Sequence, residues 1–256
     1  MIATASETRD YLLHRVGVTR INRPVMITKA LGGNVAAPAF FETFGNSLIT
    51  AYVGFLDLAG FSTIVQGKSA DEIASYLTPF LRDAIGVLAA GGALVDKMIG
   101  DELMFVLPET EESAIPPEVL RMGQILGGLH DLAFELGPQY RYRLGLSHGK
   151  VKVFQLKTDA YEEWTVVGEP VHVAKRLHGL PQLAEPNPVC GAFGLSVGSR
   201  NSEDVTAEMR IRLSIMAGAA SRFDHEFLEQ PTSFKGVGEV RCAVLASKRS
   251  RAEGRT

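Results

Sequence analysis

Two aspartates in this chain stand where an aspartate is costly. Asp57 lies in Phe55-Leu56-Asp57-Leu58-Ala59-Gly60-Phe61-Ser62, and Asp101 lies in Lys97-Met98-Ile99-Gly100-Asp101-Glu102. Each adjoins an apolar run and sits near a glycine. A carboxylate at the end of a hydrophobic strand is expensive to bury without a partner. Two of them brought together make a hard, oxygen-rich site suited to Mg2+ or Mn2+. The backbone N–H groups around Gly60, from Ala59 through Ser62, could hold the phosphates that such an ion carries. The combination points to chemistry on a nucleoside triphosphate.

The elements around these residues must position them. Ala51 to Asp57 reads as a buried strand. Ser69-Ala70-Asp71-Glu72 is a capping box, and Ile73, Tyr76, Leu77, Phe80, Leu81 and Ile85 follow it at helical spacing. Pro79 inside that pattern predicts a kink or a split. Leu94–Ile99 and Leu103–Leu107 are apolar runs joined by Gly100-Asp101-Glu102, a hairpin signal. A helix over Pro117–Leu136 comes next. Arg141–Ser147 and Lys150–Leu156 read as two strands with a turn at Gly149. Pro170–Leu180 is a helix with proline in its first turn, and Val240–Ala246 a closing strand. Strand, helix, hairpin, helix, strand is the split βαβ order of an α+β, ferredoxin-like fold. That order sets the first strand beside the hairpin, so Asp57 and Asp101 converge although 44 positions separate them. Lys97, four residues before Asp101, is expected on the same strand face.

Composition bounds the rest. The chain has 256 residues, 46% of them hydrophobic, and a formal net charge of -3. That supports one large domain or two small ones and supplies no basic field for nucleic acid. Cys190 and Cys242 have no metal-like spacing and read as buried thiols in a reducing compartment. The apolar stretch Ala84–Val95 is too short to span a bilayer, and the N-terminus shows no secretory pattern, so a cytoplasmic location without a membrane is expected. Residues 1–48 read as an N-terminal extension, with a short helix over Ser6–Val16, and 249–256 as a basic tail after a catalytic domain over 49–248.

Taken together, these motifs resemble the class III nucleotidyl cyclases, the adenylate and guanylate cyclase catalytic domains. The likeness spans Ala51 to Ala246. It rests on the two aspartate segments, on Leu144-Gly145-Leu146-Ser147-His148-Gly149-Lys150-Val151, and on Thr165-Val166-Val167-Gly168-Glu169-Pro170-Val171-His172-Val173-Ala174-Lys175-Arg176-Leu177. Phe234-Lys235-Gly236-Val237-Gly238-Glu239-Val240 is a weaker match. The resemblance implies a mostly antiparallel sheet covered by helices. It implies two divalent cations, Mg2+ or Mn2+, held by Asp57, Asp101 and the Leu58 carbonyl. It assigns Lys97 and Thr165 to the base, in the adenine-selecting combination, and Arg176 to the transition state. It assigns Lys150 and Lys235 to the triphosphate. His172 departs from the family's ribose-orienting asparagine. In such enzymes the metal aspartates come from one chain and the other residues from its partner. A homodimer with two shared sites, converting ATP to cyclic AMP and pyrophosphate, is therefore the expectation. The alternatives are a stand-alone UTP or CTP cyclase of bacterial antiviral signalling, and a degenerate domain that only binds nucleotide. A diguanylate cyclase fits poorly, because Ile99 and Leu103 replace its loop glycine and aromatic.

Overall fold

The computed structural model describes residues 44–109, 116–158, 162–184 and 189–247. The expected Ser6–Val16 helix, nearly all of the extension 1–48 and the basic tail lie outside the described residues. Nine strands form one sheet: β1 (Leu48–Leu58), β2 (Leu94–Ile99), β3 (Glu102–Pro108), β4 (Tyr142–Lys157), β5 (Glu162–Val167), β6 (Val189–Ser196), β7 (Phe223–Phe227), β8 (Thr232–Phe234) and β9 (Gly238–Ser247). The order is β2-β3-β1-β4-β6-β9-β7, with β5 beside β4 and β8 beside β9. The first four strands, in order β2-β3-β1-β4 and antiparallel throughout, are the expected split βαβ core. Among the described residues, only the β4–β6 pairing is parallel.

Helices cover both faces. On one side, α2 (Ala70–Ala90), α3 (Pro117–Leu136) and α5 (Ser202–Ala220) pack over Tyr52, Leu56, Leu58, Phe105 and Phe193. On the other, α4 (Glu169–Leu177) and β5 lie over Ala51, Val53, Phe55, Met104, Val151 and Val153. The period-2 alternation of β1 produces this division, and it sends Asp57 to the α4 face with Val53 and Phe55. Gly145 lets α4 approach: a Cβ there would stand 2.0 Å from the Ala174 carbonyl oxygen. Cys190 and Cys242 are both buried free thiols.

The capping box forms as expected, with Ser69 Oγ accepting from the Glu72 amide and Glu72 accepting from the Ser69 amide. Two expectations are corrected. Pro79 does not split α2, which runs unbroken through it; one missing N–H in a helix packed on Phe80, Ala84 and Leu88 is tolerated. Gly149 is not a turn, because β4 is a single 16-residue strand that keeps its pairing with β1 from Leu58↔Tyr142 to Leu48↔Lys152. The helix expected over Pro170–Leu180 ends at Leu177. Among the described residues, α2 is the one helix long and apolar enough to cross a bilayer; here it packs on the sheet.

Candidate active site

The end of β1 gathers three carboxylates. Asp57 is the penultimate residue of β1 and is 8% exposed. Asp101 occupies the turn between β2 and β3, where Gly100 takes a φ of 65° that favours glycine. The Leu58 amide donates to Asp101 Oδ2 at 3.3 Å, which ties the hairpin turn to the strand end. Glu102, 7% exposed, opens β3 beside them. The expected convergence is therefore present. The same-face argument for Lys97 and Asp101 is not, since β2 ends at Ile99 and a bulge intervenes between Val95 and Lys97.

Cations line this acidic end. The β1–β4 register sets Arg143 opposite Asp57, and its guanidinium donates to both carboxylate oxygens, at 3.1 and 2.8 Å. Lys175, on α4, pairs with Glu102 and stacks its ammonium 5.2 Å from the Phe55 ring centre. His178 Nε2 lies 3.5 Å from Glu102 and 3.7 Å from Asp57. The Asp101 carboxyl is pushed above its ordinary value. Burial is the chief cause and the charges of Asp57 and Glu102 add to it, while hydrogen bonds from its own amide and that of Leu58 pull the other way.

These groups suit a divalent cation that also carries a substrate. Among the described residues no three His, Cys, Asp or Glu side chains are arranged to hold a metal by themselves. Two carboxylates at one strand end are what Mg2+ takes when phosphates supply its other ligands. Glu102 Oε1 is buried without a hydrogen-bond partner, so this corner still has acceptor capacity. The glycine turn is more restricted than expected. The Ala59 amide donates to the Arg141 carbonyl at 2.8 Å and is therefore committed to structure. Gly60, at φ 77°, turns the chain into α1 (Phe61–Ile64), where the Thr63 and Ile64 amides close on the Gly60 carbonyl. The Phe61 and Ser62 amides open that turn.

A second group forms on β2 and β5. Lys97 Nζ donates to Thr165 Oγ1 at 3.0 Å, and Thr165 Oγ1 donates to Asp96 Oδ2 at 2.8 Å. Lys97 also lies 3.4 Å from Asp96. Since β5 pairs only with β4 in the sheet, this contact means that the β4–β5 arm folds back to β2. His172 and Arg176 are exposed on α4, one turn apart, and neither is hydrogen-bonded or ion-paired to Asp57 or Asp101. Lys150 sits opposite Thr50, seven residues along β1 from Asp57, or about 23 Å at strand spacing. It lines a cavity of about 370 Å³ with Ser147, His148, Glu169 and Arg200, which contains neither aspartate. Lys235 lies in the turn between β8 and β9, at the far end of the sheet from the Asp57 level.

Sequence reasoning brought out Asp57, Asp101, Lys97 and Thr165 but not Asp96, Glu102, Arg143, Lys175 or His178. A signal existed for Asp96, a carboxylate directly after the apolar pair Leu94-Val95. Arg143 had none, because only the register of β4 on β1 gives it a meaning.

No protein-family model matches the chain. An adenylate cyclase of Anabaena cylindrica is 24% identical over 131 residues, covering 49% of this chain and 26% of that protein. An adenylate cyclase of Dictyostelium discoideum is 23% identical over 135 residues, again 49% of this chain but 6% of the relative. The chain thus spans 26% and 6% of these relatives' length. Among solved structures, the guanylate cyclase domain of RhGC from Catenaria anguillulae in complex with GTP superposes with a TM-score of 0.56 at 17% identity, covering 78% of this chain and 98% of that one. The adenylyl cyclase CyaB of P. aeruginosa gives 0.55 at 15% identity, covering 79% and 96%. The fold is that of the class III cyclase catalytic domains.

Proposed function

From a chain with the class III cyclase catalytic fold, we propose a nucleotidyl cyclase that converts a nucleoside triphosphate, foremost ATP, to its 3',5'-cyclic nucleotide and pyrophosphate. The observation that carries this reading is the meeting of Asp57 and Asp101 at the end of β1, with Leu58 bridging them. Two carboxylates that repel each other in a partly buried corner favour a bound cation over leaving the site to water. Asp57, Asp101 and the Leu58 carbonyl would hold the two divalent cations, Mg2+ or Mn2+. When bound, such ions stabilise charge on the attacking 3'-oxygen and on the departing pyrophosphate.

The protein's own groups do the rest. The ribose 3'-oxygen forms a bond to the α-phosphorus as the bond from that phosphorus to the bridging oxygen breaks. The hydroxyl proton passes to solvent, and pyrophosphate leaves with the electron pair. Arg143 fixes the plane of the Asp57 carboxylate by donating to both of its oxygens. Arg176 offers a planar fork to the charge on the α-phosphate, and His172 a single donor to the ribose. Lys97 and Thr165 hold the base. His172 and Arg176 are exposed and unpaired with the aspartates, which supports a site completed by a second copy, with twofold symmetry and two equivalent centres.

The purified protein incubated with Mn2+ or Mg2+ and each of ATP, GTP, UTP and CTP tests the reading. Cyclic AMP as the main product is expected. A different cyclic nucleotide removes the substrate assignment and keeps the chemistry, while no cyclic product from any of the four removes the cyclase.

A further inference from the structure

The geometry points to Asp96 as a positioning residue that sets base specificity through the proton of Thr165, an inference that rests on the cyclase reading for the identity of the bound nucleotide. Asp96 is 4% exposed, and its carboxylate lies against both Thr165 and Lys97. A hydroxyl has one proton and two lone pairs. Thr165 spends its proton on Asp96 Oδ2 at 2.8 Å, because a carboxylate oxygen can only accept. Lys97 Nζ occupies one lone pair at 3.0 Å, because an ammonium can only donate. What Thr165 can still offer a ligand is its second lone pair, an acceptor. Lys97, whatever else it touches, presents donors only.

A ligand edge matched to this pair has a donor next to an acceptor. Adenine has that edge in its exocyclic amino group and adjacent ring nitrogen, and cytosine has it likewise. Guanine and uracil present the reverse, a carbonyl oxygen beside a ring N–H. Without Asp96 the Thr165 hydroxyl is free to turn and donate, and the discrimination is lost. With Asp96 in place, and with Lys97 reading the ring nitrogen and Thr165 the exocyclic group as the cyclase reading has it, a carbonyl-bearing base leaves two acceptors facing each other, a pairing that a partly buried site disfavours. The selectivity of Lys97 and Thr165 is therefore a property of three residues, and the third touches no substrate.

The test measures binding apart from turnover. The 3'-deoxy forms of ATP and of ITP cannot cyclise, and they differ at the base by the amino group and the carbonyl oxygen that replaces it. The native protein with Mg2+ should bind 3'-deoxyATP about tenfold or more tightly than 3'-deoxyITP. Asp96→Asn and Asp96→Ala should bring the two within about threefold, with the change falling on the ratio rather than on affinity for both. Thr165→Ser, which keeps the hydroxyl, should retain the native ratio. A native ratio in either folded Asp96 variant overturns the inference. Should neither variant fold, as judged by circular dichroism, Thr165→Val carries the same test, and an unchanged ratio there overturns it too. Native protein that shows the ratio but forms no cyclic product refutes the cyclase and leaves Asp96 its role. Native protein that cyclises ATP while the Asp96 variants keep the ratio does the opposite.

Discussion

Two clusters of ionised groups lie along the β1–β4 pair, and they resolve the same problem differently. At one end are Asp57, Asp101 and Glu102, with Arg143, Lys175 and His178. Five residues back along β1, Tyr52 opposes His148, and around them stand Glu109, Glu208, Arg212 and Arg200. In this second cluster Arg212 bridges both acids, at 2.8 Å to Glu109 and 3.0 Å to Glu208, and also donates to the Tyr52 hydroxyl. His148 Nε2 lies 2.9 Å from Glu109, though poorly aligned for a full hydrogen bond. Burial alone drives the Glu109 and Glu208 carboxyls up, but the surrounding cations outweigh it and both lie below their ordinary value. Asp101 moves the other way, since burial raises it, the charges of Asp57 and Glu102 add to that, and its hydrogen bonds from two amides do not offset them. One cluster is a closed structural lock, whereas in the other Arg143 and Lys175 answer Asp57 and Glu102 while the partners of Asp101 among the described residues are amides and acids, which leaves a net negative corner suited to a cation.

The largest effect tests which cluster is chemical. Asp57→Ala is expected to lower turnover by about 10³-fold or more without disturbing the proposed dimer. Arg176→Ala should do the same from the other half of the site. Mixed and allowed to exchange, the two variants should form heterodimers with one intact centre and recover activity. Exchange without recovery breaks the shared site, and near-native turnover in Asp57→Ala moves the acidic end into the structural class.

The second effect is on stability. Arg212→Ala leaves Glu109 buried beside Tyr52 without its main cation, which costs about 3 kcal/mol and roughly 6–12 °C in melting temperature. Turnover per folded molecule should change little. The pH dependence follows from the same groups. Glu109 and Glu208 titrate below 4.5 when folded, so their stabilisation is complete above that value and is withdrawn as pH falls through the folded values. Chemical melts from pH 7 to 3 should show that loss in the native chain and less of it in Arg212→Ala. Equal acid sensitivity in both would remove the lock.

The two clusters were unequally legible in the sequence, for a physical reason. Asp57 and Asp101 could be read because local signals surround them: an apolar strand, a glycine turn, a capping box and a hairpin. The lock could not, because Tyr52, Glu109, His148 and Arg212 come from four elements that only the tertiary fold brings together. Arg143 was hidden for the same reason, as its meaning depends on pairing register. α5 is a different case. Its buried residues Val205, Met209, Leu213, Met216 and Ala220 recur at helical spacing behind the Asn201 cap, and that signal was present but unread.

The smallest effect sharpens the comparison most. If the acidic end holds repulsion that the lock has discharged, neutralising one of its acids should stabilise the metal-free protein. Asp101→Asn keeps the shape and an acceptor for the Leu58 amide and removes one of the crowded charges. It is expected to melt a few degrees higher than the native chain in EDTA at pH 7. Added Mn2+ should raise the melting temperature of the native chain and leave that of the variant nearly unmoved, because binding stabilises only the state that binds. The analogous change in the lock, Glu109→Gln, should lower stability, since it weakens an attraction rather than relieving a repulsion. Opposite signs for two carboxylate-to-amide changes flanking the same strand pair would be the direct thermodynamic mark of a site beside a scaffold. Destabilisation by both would mean that Asp101, too, is held by attraction, and the case for a cation at the end of β1 would lose its electrostatic basis.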